Sequence, residues 1–500
     1  MGIVQKDAFR TTIISLIGVV LGYINKGLLF LLILTQEQIG LINLLITVGT
    51  LFAQLSSFGT AFTTLKFFPF FRNHSNKHHG FLPFIIRITI AGTLASTIGF
   101  FVFRSLIESW YSEKSADFVN YYWWVLPIGV GYVVYLLLEA YLRSFYKNLL
   151  SVFSYDIILR LFVTASLVLF WKKWISFEAF IQINSLIYLV PPAILIIYLW
   201  KKNELFLSVK DIRISKRFQK LIFRFSAYNY LNSLGVALVI SLDVMMIAQM
   251  MGLKATGVYS TIVFLASAML VPHRSLLRIS APLVAEYWKN RDMKSMNELY
   301  KKSGSVSLLL GLGSFIIVWL NIDLLFSFLD AEFQPGIWVF FFLMMGRLFE
   351  MFFGLTGIIF STSKKYKYDL YFTVVLVMIV YSLNVLFIPK WGIVGAAVST
   401  AIALILFNFS RYLFISVSYK LNPFEKNQFI VMGLGILTIL SGEYIGGMAT
   451  NLWIRLIIVS GIFLLLFVVP IFIFQLEKQS VTYVKNALHL VLGKLKLKRK

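Results

Sequence analysis

Two arginines within an apolar part of the chain have a type and spacing that indicate chemistry. Arg274 and Arg278 are four residues apart in the stretch MLVPHRSLLRIS, so on a helix they share one face and repel each other mildly. Either they bind a diphosphate, whose oxygens a planar guanidinium group matches two at a time, or they reach lipid phosphates from a helix end. Arg87, roughly 9 Å into another apolar segment by the helical rise, is a lesser candidate for binding the same anion. His273, beside the kink expected at Pro272, either lines a cavity or only packs.

A lysine and an aspartate also lie deep in apolar segments. Lys26 interrupts GYINKGLLFLLILTQEQIGL roughly 12 Å from the outer end of its segment, and no residue one turn away on its helix can neutralise it. The ammonium either snorkels to the outer interface or faces water inside the protein. Asp243 has no basic residue within two turns of its own helix. We expect an ion pair between Lys26 and Asp243 that forms in one conformational state and separates in another.

Other intramembrane charges have a helix spacing that lets them meet on one face. These pairs are Asp156 with Arg160, Glu139 with Arg143, and Arg347 with Glu350. We expect them to be structural, because charges inside a membrane usually pair with one another. Arg160 and Arg347 remain candidates for lining a cavity.

Composition defines the elements that position these residues. The chain is 59% hydrophobic and only 14% charged, which is typical of an all-α polytopic membrane protein. Apolar runs of about 20 residues are long enough to cross a bilayer. We predict about 14 transmembrane helices, with cores at 11–34, 39–64, 81–103, 118–141, 150–170, 179–200, 226–251, 257–285, 304–328, 337–362, 369–388, 393–418, 428–446 and 452–475.

Charge in the loops orients these helices. Most of the 46 Lys and Arg residues fall in alternate loops, and the positive-inside rule then places both termini in the cytoplasm. We expect the protein to span a bacterial cytoplasmic membrane several times. The net charge of +24 therefore reflects topology and attraction to membrane lipids, and no nucleic-acid partner is expected. The chain has no cysteine and no phosphate-binding GxxxxGK[ST] motif, so we expect no thiolate metal site, no metal or other cofactor, and no ATPase activity.

A basic loop divides the predicted helices into two similar sets of six. We predict an N-terminal lobe with its basic linker at 1–222, a C-terminal lobe at 223–422, and two more helices with a basic tail at 423–500. An even number of helices in each lobe fits a parallel repeat about an axis normal to the bilayer. Without a gap, the segment from Lys26 aligns with the segment from Asp243 and brings Gly40 onto Gly257 at an offset of 217.

Four features carry a resemblance to a known family. They are the stretches QIGLINLLITVGTLFAQLSSFGTAFTTLKFFPFF (38–71), LDVMMIAQMMGLKATGVYSTIVFL (242–265) and LNVLFIPKWGIVGAAVSTAIAL (383–404), together with fourteen helices around a basic central loop. In the third stretch, Pro389 should stop one helix, Gly392 should shape the turn, and small residues should open the next helix. The chain resembles the oligosaccharide (O-antigen) flippases of the multidrug/oligosaccharidyl-lipid/polysaccharide exporter superfamily over helices 1 to 12.

The resemblance implies a secondary transporter rather than an enzyme. Its expected substrate is a polyprenyl-diphosphate-linked oligosaccharide for surface polysaccharides such as lipopolysaccharide, and other polysaccharide assembly proteins are further expected partners. Arg274, Arg278, Arg87 and Lys26 would bind the headgroup. Asp243, with Lys26, would couple or gate transport, and the coupling ion would be H⁺, Na⁺ or none.

Three alternatives stay open. A peptidoglycan-precursor flippase and a cation-coupled multidrug antiporter share the expected fold, although the antiporter would favour an acidic cavity. A membrane polysaccharide polymerase or glycosyltransferase would need a catalytic cluster on a substantial outer loop, and the predicted outer loops are short.

Overall fold

The protein is described here from a computed structural model that covers residues 3–145, 147–208, 212, 214–449 and 451–474. Within these residues, thirteen helices are long and apolar enough to cross a membrane, which confirms the prediction of an all-α polytopic protein. They are α1 Ile13–Ile33, α2 Gln36–Ser57, α3 Lys77–Val102, α4 Tyr122–Ser144, α5 Leu149–Trp171, α6 Phe177–Lys201, α7 Lys216–Met251, α8 Leu253–Asn290, α9 Met293–Trp319, α10 Ala331–Phe352, α11 Lys367–Tyr419, α12 Lys426–Gly446 and α13 Leu452–Ile473. The predicted basic tail after residue 474 lies outside the described residues.

The longest helical element, α11, contains two membrane-length limbs. A straight helix of its 53 residues would be about 80 Å long, far more than a hydrocarbon core of about 30 Å. The limbs meet at Gly392, whose φ of 58° and ψ of −138° are not helical. A Cβ built at Gly395 would lie only 2.2 Å from the carbonyl oxygen of Phe387, so the chain folds back here. Counting both limbs gives fourteen apolar segments, as predicted.

The position of this reversal corrects one detail of the prediction. Pro389 was expected to end the first limb, but the helix continues through it to the break at Gly392. Proline removes one backbone donor and kinks a helix without always ending it, whereas glycine alone adopts the backbone conformation that the reversal needs.

The chain forms two compact units. The first consists of Met1–Phe264 and Thr373–Ala396, and the second of Leu265–Phe372 and Ala397–Lys500. The lobes predicted at 1–222 and 223–422, and the additional segment at 423–500, stay a prediction, because compactness reports packing and not the boundaries of a repeat.

Close packing of α2 against α4 organises the first unit. Glycines permit it, since a Cβ built at Gly49 would lie 2.6 Å from Ile128, and one built at Gly129 would lie 2.4 Å from the ring of Phe52. Small residues have this function at many helix interfaces in membranes, where backbones must approach closely. Helix α2 begins with a capping box at Thr35, whose hydroxyl accepts from the Gln38 amide while the Gln38 side chain accepts from the Thr35 amide.

The second unit has its own core, where α8, α9, the residues that follow α10 and the second limb of α11 contribute buried side chains. Tyr300 is fully buried there, and its hydroxyl is 2.6 Å from the Thr356 hydroxyl. Gly346 of α10 again allows a close approach, because a Cβ built on it would lie 2.9 Å from the Cα of Ala401. Each unit therefore has rigid packing that can hold polar side chains in place.

Candidate functional site

A reciprocal contact between α2 and α8 lies within the first unit. A Cβ built at Gly40 would be 1.9 Å from the carbonyl oxygen of Leu253, and one built at Gly257 would be 1.9 Å from the carbonyl oxygen of Gln36. Gln36 and Leu253 are 217 residues apart, and so are Gly40 and Gly257. The contact of Gly40 with Leu253 is therefore equivalent, in the repeat alignment, to the contact of Gly257 with Gln36. A local twofold relation requires this reciprocity, which supports the repeat alignment made from the sequence.

Lys26 lies beside this contact. Its ammonium donates to Asn43 Oδ1 at 2.9 Å and is 5.9 Å from the centre of the Phe264 ring. Asn43 in turn donates to the Ser260 hydroxyl at 3.0 Å, and these two residues are also 217 apart in the chain. The partly buried lysine is therefore held by a neutral amide next to the local twofold axis.

A π-helical turn, Asn25–Leu29, sets the direction of Lys26 within α1. Such turns insert an extra residue into an α-helix and are frequent at functional sites. Helix α5 holds this turn in place, because the buried Asn25 amide donates to the carbonyl of Arg160 at 2.9 Å and accepts from the Thr164 hydroxyl at 2.7 Å. A second π turn, Ser154–Ile158, lies in α5 itself.

Arg160 brings a second cation close to Lys26. Its charge acts on the Lys26 ammonium, and its guanidinium packs on α1 at Gly22, where a built Cβ would be 2.6 Å from Nη1. The predicted pair with Asp156 is confirmed at 3.8 Å, and Asp156 also accepts from the Ser15 hydroxyl at 3.2 Å. Arg160 Nη1 is buried and has no hydrogen-bond partner among the described residues. Two cations and one carboxylate leave this cluster with a net positive charge and an unused donor.

Asp243 has a different setting at the position equivalent to Lys26. Its side chain is buried in the first unit, with 5% of its surface exposed. One carboxylate oxygen accepts from the Tyr259 hydroxyl at 2.6 Å and the other from the Asn384 amide at 2.8 Å. Lys26 instead contacts Asn43 and Phe264, so its ion pair with Asp243 stays a prediction for another conformational state.

In the second unit, the predicted residues of α8 lie near a charged pair of α10. Arg347 donates to Glu350 at 2.8 Å, as its helix spacing predicted, and the Glu350 carboxylate interacts electrostatically with His273 and Arg274. His273 is buried and its Nδ1 is 2.9 Å from the Ser307 hydroxyl. Arg274 is exposed beside this cluster.

Two other predicted arginines are surface residues within their units. Arg278 is exposed one turn further along α8, and Arg87 is exposed on α3 in the first unit. Their roles in binding an anion stay predictions. The described part of the chain contains no group of three or more His, Asp and Glu side chains arranged to hold a metal ion.

Sequence reasoning missed one buried ion pair in the second unit. Asp369 and Arg411 approach to 2.9 Å, with 8% and 12% of their side-chain surfaces exposed. Arg411 also stacks over the rings of Phe407 and Phe360, at 4.7 and 5.7 Å. No sequence pattern relates the two charges, because they lie on different limbs of α11.

The fold is that of the transporters of the multidrug/oligosaccharidyl-lipid/polysaccharide exporter (MOP) superfamily. The lipid II flippase MurJ, in an inward closed conformation, superimposes with a TM-score of 0.68 over 91% of this chain and 97% of that one, at 15% identity. An inward-facing multidrug resistance transporter of the MATE family gives a TM-score of 0.64 over 81% of this chain and 97% of that one, at 12% identity. A MOP superfamily transporter from Pyrococcus furiosus, described as having a binding pocket of reverse polarity, gives 0.57 over 83% and 95%, at 13% identity.

Similarity at the level of sequence is more limited. The uncharacterized membrane protein EpsK of Bacillus subtilis (strain 168) is 26% identical in an alignment of 151 residues. That alignment covers 28% of this chain and 30% of that protein. No family model matches the chain. The structural likeness therefore shows the fold, and the function has to be argued from the residues.

Proposed function

We propose that this protein is a flippase that moves a polyprenyl-diphosphate-linked oligosaccharide from the cytoplasmic to the outer leaflet by alternating access, for surface polysaccharide synthesis. The observation that carries the proposal is the cluster of Lys26 and Arg160. These two cations lie close together at membrane depth, and one guanidinium nitrogen has no partner among the described residues. A cluster of this kind is suited to an anionic headgroup.

The energetic argument concerns the diphosphate. An isolated charge is very costly to place in an apolar medium, so a lipid-linked diphosphate does not cross a bilayer unaided at a useful rate. A site with fixed cations and amides removes much of that cost, and Arg is the side chain best matched to phosphate oxygens. The affinity has to be moderate, because a headgroup that binds too tightly would not be released.

The remaining predicted residues then have ordered roles. Arg274 and Arg278, with Arg87 as a lesser contributor, would capture the headgroup on the cytoplasmic side. Lys26 and Arg160 would bind it after the lobes have rocked, while the polyprenyl tail remains in lipid. Asp243 would couple this change to an H⁺ or Na⁺ gradient, because it is a carboxylate buried within the protein, where gain or loss of a cation would change its contacts.

Two structural neighbours suggest alternatives within the same fold. The likeness to a lipid II flippase makes a peptidoglycan precursor an alternative substrate. Such a precursor would present the same kind of diphosphate headgroup to the site. A MATE transporter suggests drug export, but a net positive cluster at Lys26 and Arg160 disfavours a cationic drug. The surface oligosaccharide therefore remains our proposal, in a bacterial cytoplasmic membrane with both termini in the cytoplasm.

The direct test is transport by the purified full-length protein in liposomes. A short polyprenyl-diphosphate-linked sugar is placed in one leaflet, and its arrival in the other is followed with a lectin or an added sugar-modifying enzyme. Lys26→Met and Arg160→Gln should each reduce the rate at least tenfold. Arg143→Gln removes a cation that is more exposed than Arg160 and should leave the rate nearly unchanged. Equal rates in all variants would rule out this headgroup site.

A cellular experiment separates the candidate functions. Deletion of the protein should trap the lipid-linked oligosaccharide on the cytoplasmic face. Accumulation of a peptidoglycan precursor instead would favour the second flippase activity. Unchanged lipid-linked sugars with increased drug sensitivity would favour the antiporter.

A further inference from the structure

A groove in the first unit, outside the cationic cluster, lies between α3 and α7. Its volume is about 870 Å³. One wall is formed by Phe84, Ile88 and Ala91 of α3, and the opposite wall by a stripe along α7 that includes Ala227 and Leu231. Residues at these spacings lie on one face of each helix, so the walls run along the helix axes.

The floor of the groove is fixed by a break after α2. Phe58 and Gly59 have φ angles of 43° and 71°, and this left-handed conformation turns the Phe58 ring into the space between the two walls. The ring lies against α3, where a Cβ built at Gly92 would be 2.4 Å from it, and its centre is 5.3 Å from that of Tyr230. Gly59 also lets α7 approach, since a Cβ there would be 2.9 Å from the carbonyl of Ser226. The groove is therefore a built feature of the fold.

Two lysines lie at one end of the groove and line it. Lys216 and Lys220 are both exposed and four residues apart, so they occupy one face of the first turns of α7. Within the described part of the chain, neither lysine has an acidic partner. The positive-inside rule places this end of α7 on the cytoplasmic side.

The length and charge of the groove identify the class of ligand. From Lys216 to Leu231 the helical rise gives about 22 Å, which matches one leaflet of about 15 Å of hydrocarbon together with its interface. The end with the lysines suits an anionic headgroup, and the remainder, lined mainly by apolar residues, suits one acyl chain. A polyprenyl chain would extend well beyond a groove of this length.

We propose that this groove binds one anionic phospholipid of the cytoplasmic leaflet. Its phosphate lies between Lys216 and Lys220, and an acyl chain lies along Ala227 and Leu231 over the Phe58 ring. This lipid site goes beyond the proposed transport function and does not rest on it, because binding can be measured without transport.

The test is phosphatidylglycerol binding to the purified full-length protein in phosphatidylcholine nanodiscs, followed by native mass spectrometry. In the Lys216→Gln/Lys220→Gln variant, the tightest-bound phosphatidylglycerol should bind about 25-fold more weakly, because each lysine near an anionic headgroup contributes a factor of about five. The matched control is Lys201→Gln/Lys202→Gln, which removes the same charge from an exposed pair at the end of α6. The control should retain this binding.

Filling the groove tests the position of the acyl chain without changing the charge. Ala227→Trp and, from the opposite wall, Ile88→Trp should each displace the bound lipid, while size-exclusion profiles confirm that the variants are folded. Equal loss of binding in both lysine pairs would reduce the effect to general surface attraction and overturn the proposal. Normal lipid binding in both tryptophan variants would also overturn it, as would displacement of phosphatidylglycerol by equimolar polyprenyl phosphate.

Discussion

Lys26 and Asp243 occupy equivalent positions in two repeated segments, yet their surroundings differ. Lys26 is partly buried, donates to one amide and lies close to a second cation, Arg160. Asp243 is buried and accepts from two neutral donors. The backbone around them is nevertheless related by reciprocal contacts of Gly40 and Gly257. A locally symmetric scaffold thus holds two charges of opposite sign in different surroundings.

The different surroundings of Lys26 and Asp243 predict different effects of substitution at the two positions. An aspartate with two buried donors contributes to stability, since its removal leaves those donors unsatisfied. A lysine near another cation gains little stability from its neighbours, because like charges repel each other. We therefore expect stability and transport to respond differently at the two positions.

The largest loss of stability is expected at Gly40 and Gly257, which occupy equivalent positions in the two repeated segments. Gly40→Val and Gly257→Val each place a side chain on a backbone carbonyl, and each should lower the free energy of unfolding by about 3 kcal/mol or more. Gly99→Val is the matched control, because a Cβ there meets no atom within 4 Å. Thermal unfolding in detergent measures all three. A loss for only one of Gly40 and Gly257 would contradict the reciprocal contact.

The next effect is expected at Asp243. Asp243→Ala leaves the Tyr259 hydroxyl and the Asn384 amide without this acceptor, and an unsatisfied buried donor costs about 1–3 kcal/mol. Transport should also be lost. Asp243→Asn keeps an acceptor oxygen and should destabilise less, and Asp117→Ala, at an exposed site, should change neither quantity. An unfolding temperature of Asp243→Ala equal to that of the wild type would contradict the predicted loss of stability.

Lys26 should show the opposite pattern. Lys26→Met removes one hydrogen bond, about 1 kcal/mol, but also removes a charge that is costly at membrane depth, so the melting temperature should change by only a few degrees. Transport in liposomes should nevertheless fall at least tenfold, and Lys26→Arg should restore part of it. A large loss of stability with Lys26→Met would make this residue structural.

A smaller effect is expected from exchanging the two charges. If Lys26 and Asp243 pair in one state, the double variant Lys26→Asp/Asp243→Lys should recover some of the transport lost in either single variant. Expression level has to be matched by immunoblotting. No recovery at any expression level would count against the ion pair.

The smallest effect is expected at Arg274 and Arg278. Both are exposed, so replacing Arg278 by Gln should leave the melting temperature unchanged, whereas Arg274→Gln also removes an interaction with Glu350 and should lower it slightly. Each replacement should lower transport severalfold, mainly through weaker capture of the headgroup. An unchanged apparent affinity for the lipid-linked sugar in the double variant would remove these arginines from the binding site.

Much of the fold could be predicted because membrane helices have a simple sequence signal. Apolar runs of bilayer length gave the fourteen segments, and spacings of three or four residues gave the pairs Asp156–Arg160 and Arg347–Glu350. The gap-free offset of 217 related Gly40 to Gly257 before any contact was known. These features depend on local periodicity, which a single sequence retains.

The features that could not be predicted depend on contacts between residues that are distant in the sequence. Asp369 and Arg411 pair across two limbs of one helical element, and Arg160 approaches Lys26 from another helix. The neutral partners Asn43 and Asn384 carry no charge pattern that would single them out. The π turn before Lys26 was also not predictable, because nothing in the local composition distinguishes it from an α-helix.

The π turns of α1 and α5 have a mechanical consequence. A π turn holds one residue more than an α turn, so resolving it by a one-residue slip rotates the rest of the helix by about 100° and advances it by about 1.5 Å. A slip in α1 would swing the ammonium away from its amide with no helix broken. The two turns are therefore places where a small register change can reposition a charge without requiring a change in the close contact of Gly40 and Gly257.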